Sequence, residues 1–210
     1  MRPELVVTSD LPGDAVRLFL DLQPRRIALA GGSTPAAFYR TLAGTEYAWD
    51  ETDIFFGDER CVPPTHPECN FRMAHEMLLE HIDARVHRMP GETCDAAAYE
   101  ARLRSVFGPG VPAFDLVVLG LGEDGHTASL FPGDPALDER ERLVVRVERP
   151  DHPRLTLTLP VLSAAAVALF LVKGAAKREA LRWLLAGADI PAARVHAART
   201  VILADRAAAG

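Results

Sequence analysis

His126 stands two residues after Asp124 and three after Glu123, at the end of the run Gly120-Leu-Gly-Glu-Asp-Gly-His126. A histidine is the side chain best suited to move protons near neutral pH. A carboxylate two residues away is placed to orient its ring. Glycines let the backbone turn sharply and approach a ligand closely. Such a set allows general acid–base chemistry, in which one imidazole takes a proton and later returns it. Gly120, Gly122 and Gly125 also fit the dinucleotide fingerprint G-x-G-x-x-G. That fingerprint needs a long helix directly after its last glycine, to aim an N-terminus at a pyrophosphate. Pro132-Gly133 follow too soon for one. The glycines are therefore read as a loop that positions His126.

Three further groups carry possible chemistry. Gly31-Gly-Ser-Thr-Pro35 has Thr34 placed as a helix N-cap and Pro35 as the first helical residue. Capping explains Thr34 and Pro35 but not two preceding glycines. A helix N-terminus offers unpaired N–H groups and a positive dipole end, which suit phosphate. Ser33 is not read as a nucleophile, because the elbow G-x-S-x-G is absent. Asp58-Glu-Arg60 is a charged triplet, and its arginine is a permanent planar cation able to hold a phosphate or polarise a carbonyl. Lys173 and Lys177 stand one turn apart at a helix start, where cations oppose the dipole unless an anion lies between them. Cys61, His66, Cys69 and His75 invite a zinc reading, but their spacing fits none of the usual ligand patterns. No metal and no cofactor are expected.

The elements that must position these residues are visible as alternating patterns. Strands are expected at 5–7, 27–30, 54–56, 86–88, 116–119, 143–147, 155–159, 168–172 and 201–203. Helices are expected at 12–22, 35–42, 71–80, 94–107, 175–185 and 192–197. This alternation predicts a single-domain, Rossmann-like α/β fold: a mainly parallel sheet with helices on both faces. The segment 155–159 alternates strictly between leucine and threonine, so it is expected as an edge or antiparallel strand with one more polar face. Chemistry clusters where strands end, after 30, 56, 119 and 172. Open parallel sheets bind ligands in the crevice outside the carboxyl ends of their strands. Four loops converging on one pocket follow from that rule.

Bulk properties narrow the function classes. The chain has 210 residues and a net charge of −6, which does not favour a nucleic-acid surface. Its first residues lack the apolar core of a signal peptide, and its longest apolar run, 164–172, is too short to span a bilayer. Three cysteines, an odd number, suggest no disulfide framework. A cytoplasmic protein is expected, monomeric and without nucleic-acid or membrane partners.

Taken together, the motifs resemble those of the 6-phosphogluconolactonases, relatives of glucosamine-6-phosphate deaminase/isomerase. The resemblance rests on Ala30-Gly-Gly-Ser-Thr-Pro35, Gly57-Asp-Glu-Arg-Cys-Val-Pro63, Cys69-Asn70, the run from Gly120 to Gly133, Arg154-Leu-Thr-Leu-Thr-Leu-Pro160 and Gly174-Ala-Ala-Lys177, in that order. The deaminases follow their corresponding histidine with a Phe-Asn-Glu-Pro type of segment. Here Thr127-Ala-Ser-Leu-Phe-Pro132 stands in its place, the lactonase version. Two positions depart from the family: Cys69, usually serine, and Lys173, commonly a small hydroxyl residue. The resemblance implies one lactonase-like domain over 1–206, followed by an Ala-rich tail, 207–210. It also implies a sugar-phosphate substrate, 6-phospho-D-glucono-1,5-lactone, hydrolysed in the oxidative pentose phosphate pathway. His126 is the expected base and acid, with Asp124 orienting it. Gly31, Gly32, Ser33, Thr34, Asp58, Arg154 and Lys177 are the expected substrate contacts. Arg60 is expected at either the phosphate or the lactone carbonyl. An isomerase or deaminase on the same fold is the nearest enzymatic rival. A sugar-phosphate sensor is the non-catalytic one.

Overall fold

Short apolar runs become strands when helices can cover both faces of the sheet they join. The computed structural model describes residues 2–210. Its first half contains β1 (Glu4–Thr8), α1 (Leu11–Leu22), β2 (Arg26–Leu29), α2 (Ser33–Leu42), β3 (Asp53–Phe56), β4 (Asp58–Arg60), α3 (Asn70–Met77) and β5 (Arg85–Val86). The second half adds α4 (Ala96–Phe107), β6 (Leu116–Leu119), β7 (Val144–Val147), β8 (Arg154–Leu157) and α5 (Leu159–Ser163). It closes with β9 (Val167–Val172), α6 (Arg178–Ala186), β10 (Arg199–Asp205) and α7 (Arg206–Ala209).

Seven strands form one sheet in the order β1-β10-β9-β6-β2-β3-β5, every neighbouring pair parallel. Its central strands β6 and β9 are buried along their whole length. That matches their unbroken apolar sequences, because a strand covered on both faces has no side for a polar residue. Aromatic side chains fill the flanks: Phe19, Tyr47 and Trp49 meet in one cluster, Phe55, Phe107 and Phe114 in another.

The remaining strands form a small antiparallel sheet, β4-β8-β7. The expected antiparallel strand is there as β8, but it is the middle strand rather than an edge. Its more polar face is present in Thr156 and Thr158 but lies inside the protein. Thr156 and Thr158 are as fully buried as Leu155 and Leu157. Their hydroxyls are satisfied inside: Thr156 accepts from the Ser129 amide at 3.3 Å, and Thr158 donates to the Arg142 carbonyl at 2.9 Å. A buried hydroxyl is tolerated when it is hydrogen-bonded, so period-two alternation here does not mark a wet face.

Other boundaries moved for local reasons. The helix expected at 192–197 is only a short 3-10 turn, Pro191–Arg194, because β10 begins at Arg199. The helix expected from residue 94 begins at Ala96, where the Asp95 carboxylate accepts from the Ala98 amide at 3.0 Å. Residues 207–210, expected as a tail, lie largely in α7, which Asp205 caps and which buries Ala208.

Candidate active site

β2, β6 and β9 are neighbours in the large sheet, and the chain leaving their carboxyl ends builds one cavity of about 270 Å³. Gly31 and Gly32 line it from the loop after β2, and Ser33 and Thr34 from the first turn of α2. Asp58 and Arg60 line it from β4, Arg154 from β8, His126 from the loop after β6, and Lys177 from the loop after β9. Of the site residues expected from sequence, only Asp124 is outside the lining. It stands behind His126.

The His126 loop is held by its own backbone. The Gly122 amide donates to the His126 carbonyl at 2.8 Å, and the Thr127 hydroxyl to the Gly120 carbonyl at 2.9 Å. This fold-back brings the His126 ring over Gly122, where a Cβ would lie 2.0 Å from Nδ1. Only glycine fits there. The Asp124 carboxylate meets Nδ1 of His126 at 2.6 Å and accepts the His126 amide at 3.1 Å. Partial burial alone would raise the Asp124 carboxyl, but the amide and ring of His126 hold it below the ordinary aspartate value. An ionised carboxylate only accepts hydrogen bonds, so the proton of the neutral ring belongs on Nδ1 and Nε2 is left basic. The opposite flank of the ring leans on Phe131, with centroids 4.5 Å apart.

At the second wall, the helix start differs from the sequence expectation. Thr34 is not the N-cap. Gly32 takes that position with φ of 102°, and α2 begins at Ser33. A backbone in this region favours glycine, and it lets the chain enter the helix earlier than Thr34-Pro35 implied. No side chain caps α2. The first amides of a helix have no intrahelical partner, so those of Ser33 and Thr34, which line the cavity, are left as donors. The buried Tyr39 hydroxyl accepts from the Ala30 amide at 2.8 Å and donates to the Ala30 carbonyl at 3.0 Å, fixing α2 to the end of β2.

Asp58-Glu-Arg60 is a strand, not a solvated turn, and both acids are buried. Glu59 points away from the cavity and accepts the amides of Asn70 at 2.7 Å and Phe71 at 2.8 Å. It thereby caps α3 from another element. Asp58 accepts from the Ser129 hydroxyl at 2.7 Å, while Asn70 donates its side-chain amide to the Asp58 carbonyl at 2.9 Å. Asn70 and Ser129 received no role from sequence. Both lie in segments already flagged, yet neither spacing nor periodicity links residues that meet only in the fold.

Arg60 and Arg154 occupy opposed positions on the β4–β8 ladder. Opposed like charges destabilise a strand pair, and the Nε groups of both arginines are buried without a partner. Arg60 is steadied by the Glu68 carbonyl at 2.6 Å, and Arg154 by Asp151. Lys177 completes a cationic wall, loosely engaged with Glu123 at 3.8 Å. An anion placed here would relieve the repulsion and satisfy the free N–H groups.

The four residues considered for zinc do not converge. Cys61 is joined to Cys94 in a disulfide, against the expectation from an odd count, and Cys69 is buried with its thiol on Glu59 at 3.3 Å.

The sequence profile of the family described as glucosamine-6-phosphate isomerases/6-phosphogluconolactonase matches residues 15–203. The 6-phosphogluconolactonase of Synechocystis is 44% identical over 165 residues, covering 74% of this chain and 69% of its own. That of Mycobacterium tuberculosis is 39% identical over 205 residues, covering 87% of this chain and 83% of its own. The solved 6-phosphogluconolactonase from Trypanosoma brucei superposes with a TM-score of 0.89 at 30% identity, covering 99% of this chain and 98% of that one.

Proposed function

The chain belongs to the glucosamine-6-phosphate isomerase/6-phosphogluconolactonase family, and from that premise we propose how it hydrolyses 6-phospho-D-glucono-1,5-lactone to 6-phosphogluconate, a step of the pentose phosphate pathway. One observation carries the reading. A histidine oriented by a carboxylate faces a cavity whose other wall holds a helix N-terminus, a lysine and two arginines.

Nε2 of His126 takes a proton from water as the water oxygen attacks C1 of the lactone. The C1–O5 bond then breaks, and the same nitrogen returns the proton to O5. Asp124 holds the ring in the required tautomer and stabilises the imidazolium between the two transfers. Loop N–H groups are the donors assigned to the tetrahedral oxyanion. A lactone is already electrophilic at C1, so these steps need no group beyond the chain's own residues.

We assign the 6-phosphate to the α2 N-terminus, with Gly31 and Gly32 giving room, Ser33 and Thr34 donating, and Lys177 and Arg154 supplying charge. Arg60 joins Arg154 at this anion, because one dianion offsets both opposed guanidiniums. Asp58 is the fixed acceptor between Ser129 and Asn70, placed at a sugar hydroxyl. Anchoring the phosphate far from C1 fixes the reacting geometry.

The test is hydrolysis of freshly generated 6-phosphogluconolactone near neutral pH, measured above its spontaneous loss. The parent protein should accelerate it, and His126→Ala should lower kcat by roughly 10²–10⁴. Full turnover by a folded His126→Ala would end the mechanism. Ammonia release from glucosamine 6-phosphate would instead favour the deaminase branch.

A further inference from the structure

We propose that His66, Glu68 and His152 form a binding site for a zinc-class divalent cation beside Arg60, outside the catalytic machinery. One donor atom from each lies within 4.8 Å of the others. Nε2 of His152 and a Glu68 carboxylate oxygen are 2.9 Å apart. Donors around a four-coordinate zinc, each about 2.0–2.2 Å from the ion, are separated by roughly 3.3 Å. The two atoms therefore already stand near that spacing, and a modest rotation of the His66 ring brings in the third.

An exposed histidine–glutamate pair alone would be an ordinary surface contact. Here the backbone that carries it is held on several sides. Pro63, Pro64 and Pro67 stiffen the segment around His66, and Pro150 and Pro153 bracket His152. Arg60 donates to the Glu68 carbonyl at 2.6 Å, and Arg72 to the Thr65 carbonyl at 2.8 Å. The two imidazoles meet edge to face, with centroids 5.3 Å apart. Donors held in place need less ordering when an ion arrives.

The donor set selects the metal. Two imidazole nitrogens and one carboxylate suit zinc and its neighbours in the transition series, whereas magnesium and calcium prefer oxygen throughout. Three protein donors leave a fourth position for water. Two effects oppose binding. The Glu68 amide bonds to Nδ1 of His66 at 3.2 Å, a long contact that metal ligation would give up to water. The Arg60 cation is close, although it engages the carbonyl of Glu68 and not its carboxylate. Sequence spacing could not reveal this site, because Glu68 and His152 are 84 residues apart.

The experiment is a calorimetric zinc titration of the untagged, chelator-treated protein at a pH where histidine is largely neutral. Four proteins are compared: the parent, Glu68→Gln, His152→Ala and His126→Ala. The parent and His126→Ala should each bind one zinc ion. Glu68→Gln and His152→Ala should each weaken binding at least about tenfold. Metal-free lactone hydrolysis should be unchanged in those two variants, which establishes that they are folded. Absence of zinc binding by the parent would overturn the proposal. So would parent-like affinity in Glu68→Gln and His152→Ala, or loss of binding in His126→Ala, which would move the ion to the catalytic histidine.

Discussion

At the scale of single residues, Lys177 tests whether the cavity is built for a phosphate. Its ammonium lies 3.8 Å from Glu123, and both side chains are partly exposed. Such a pair contributes little to stability, so the lysine is available to a ligand. Lys177→Ala should raise KM for the phosphorylated lactone roughly 10–100-fold, the worth of a charged hydrogen bond, and leave kcat within a few-fold. Initial rates over a range of lactone concentrations give both constants. An unchanged KM would detach Lys177 from the phosphate. The catalytic pair was legible because Asp124 and His126 are two residues apart and glycines flank them. Asn70 and Ser129 were not legible as partners of Asp58. Their hydrogen bonds span 12 and 71 residues, and no local pattern encodes either meeting.

At the scale of elements, the ends of helices were harder to read than their bodies. Apolar periodicity located α1 and α2 to within two residues. It could not show that Gly32 rather than Thr34 opens α2, since that depends on a positive φ. Nor could it show that α3 is capped by Glu59, eleven residues before Asn70. This distant cap has a consequence for pH. Burial, the largest influence, pushes the Glu59 carboxyl above the ordinary glutamate value of 4.5, against the lowering effect of the Asn70, Phe71 and Arg60 amides. The folded protein therefore holds this proton more tightly than the unfolded chain does. Its stabilising contribution is complete below about 4.5 and is lost as pH rises through the higher folded-state value. Glu59→Gln cannot ionise and should remove that slope. It should also cost about 1–3 kcal/mol throughout, because its amide end cannot accept the Phe71 N–H. Denaturant titrations of both proteins from acid to neutral pH give the difference in unfolding free energy. A difference that stays flat across that range would contradict the assignment.

For the whole molecule, the parallel sheet was legible because its strands are continuous apolar runs between helical patterns. The separate antiparallel sheet was not, since β4 reads as a charged triplet and β8 as an alternating strand with no visible partner. Both depend on partners far away in the chain. The cysteine count misled for a related reason. Parity cannot distinguish three thiols from one bridge and one buried thiol, and it is the second arrangement that occurs. Cys61 follows β4 directly, and Cys94 precedes α4, so the bridge ties the small sheet to a helix of the main layer. Its two residues are 33 apart in sequence. Closing a loop of that length restricts the unfolded chain by about 3–4 kcal/mol in the chain-entropy treatment. For a protein of this size that corresponds to a melting temperature roughly 10 °C higher with the bridge intact. Thermal unfolding should therefore shift downward by that order when reductant is added, with alkylation confirming two newly free thiols. A reducing compartment would hold Cys61 and Cys94 as thiols, and there the lower value would apply. An unshifted transition, with both thiols shown to be free, would mean that core burial alone joins the two layers and the bridge is incidental to stability.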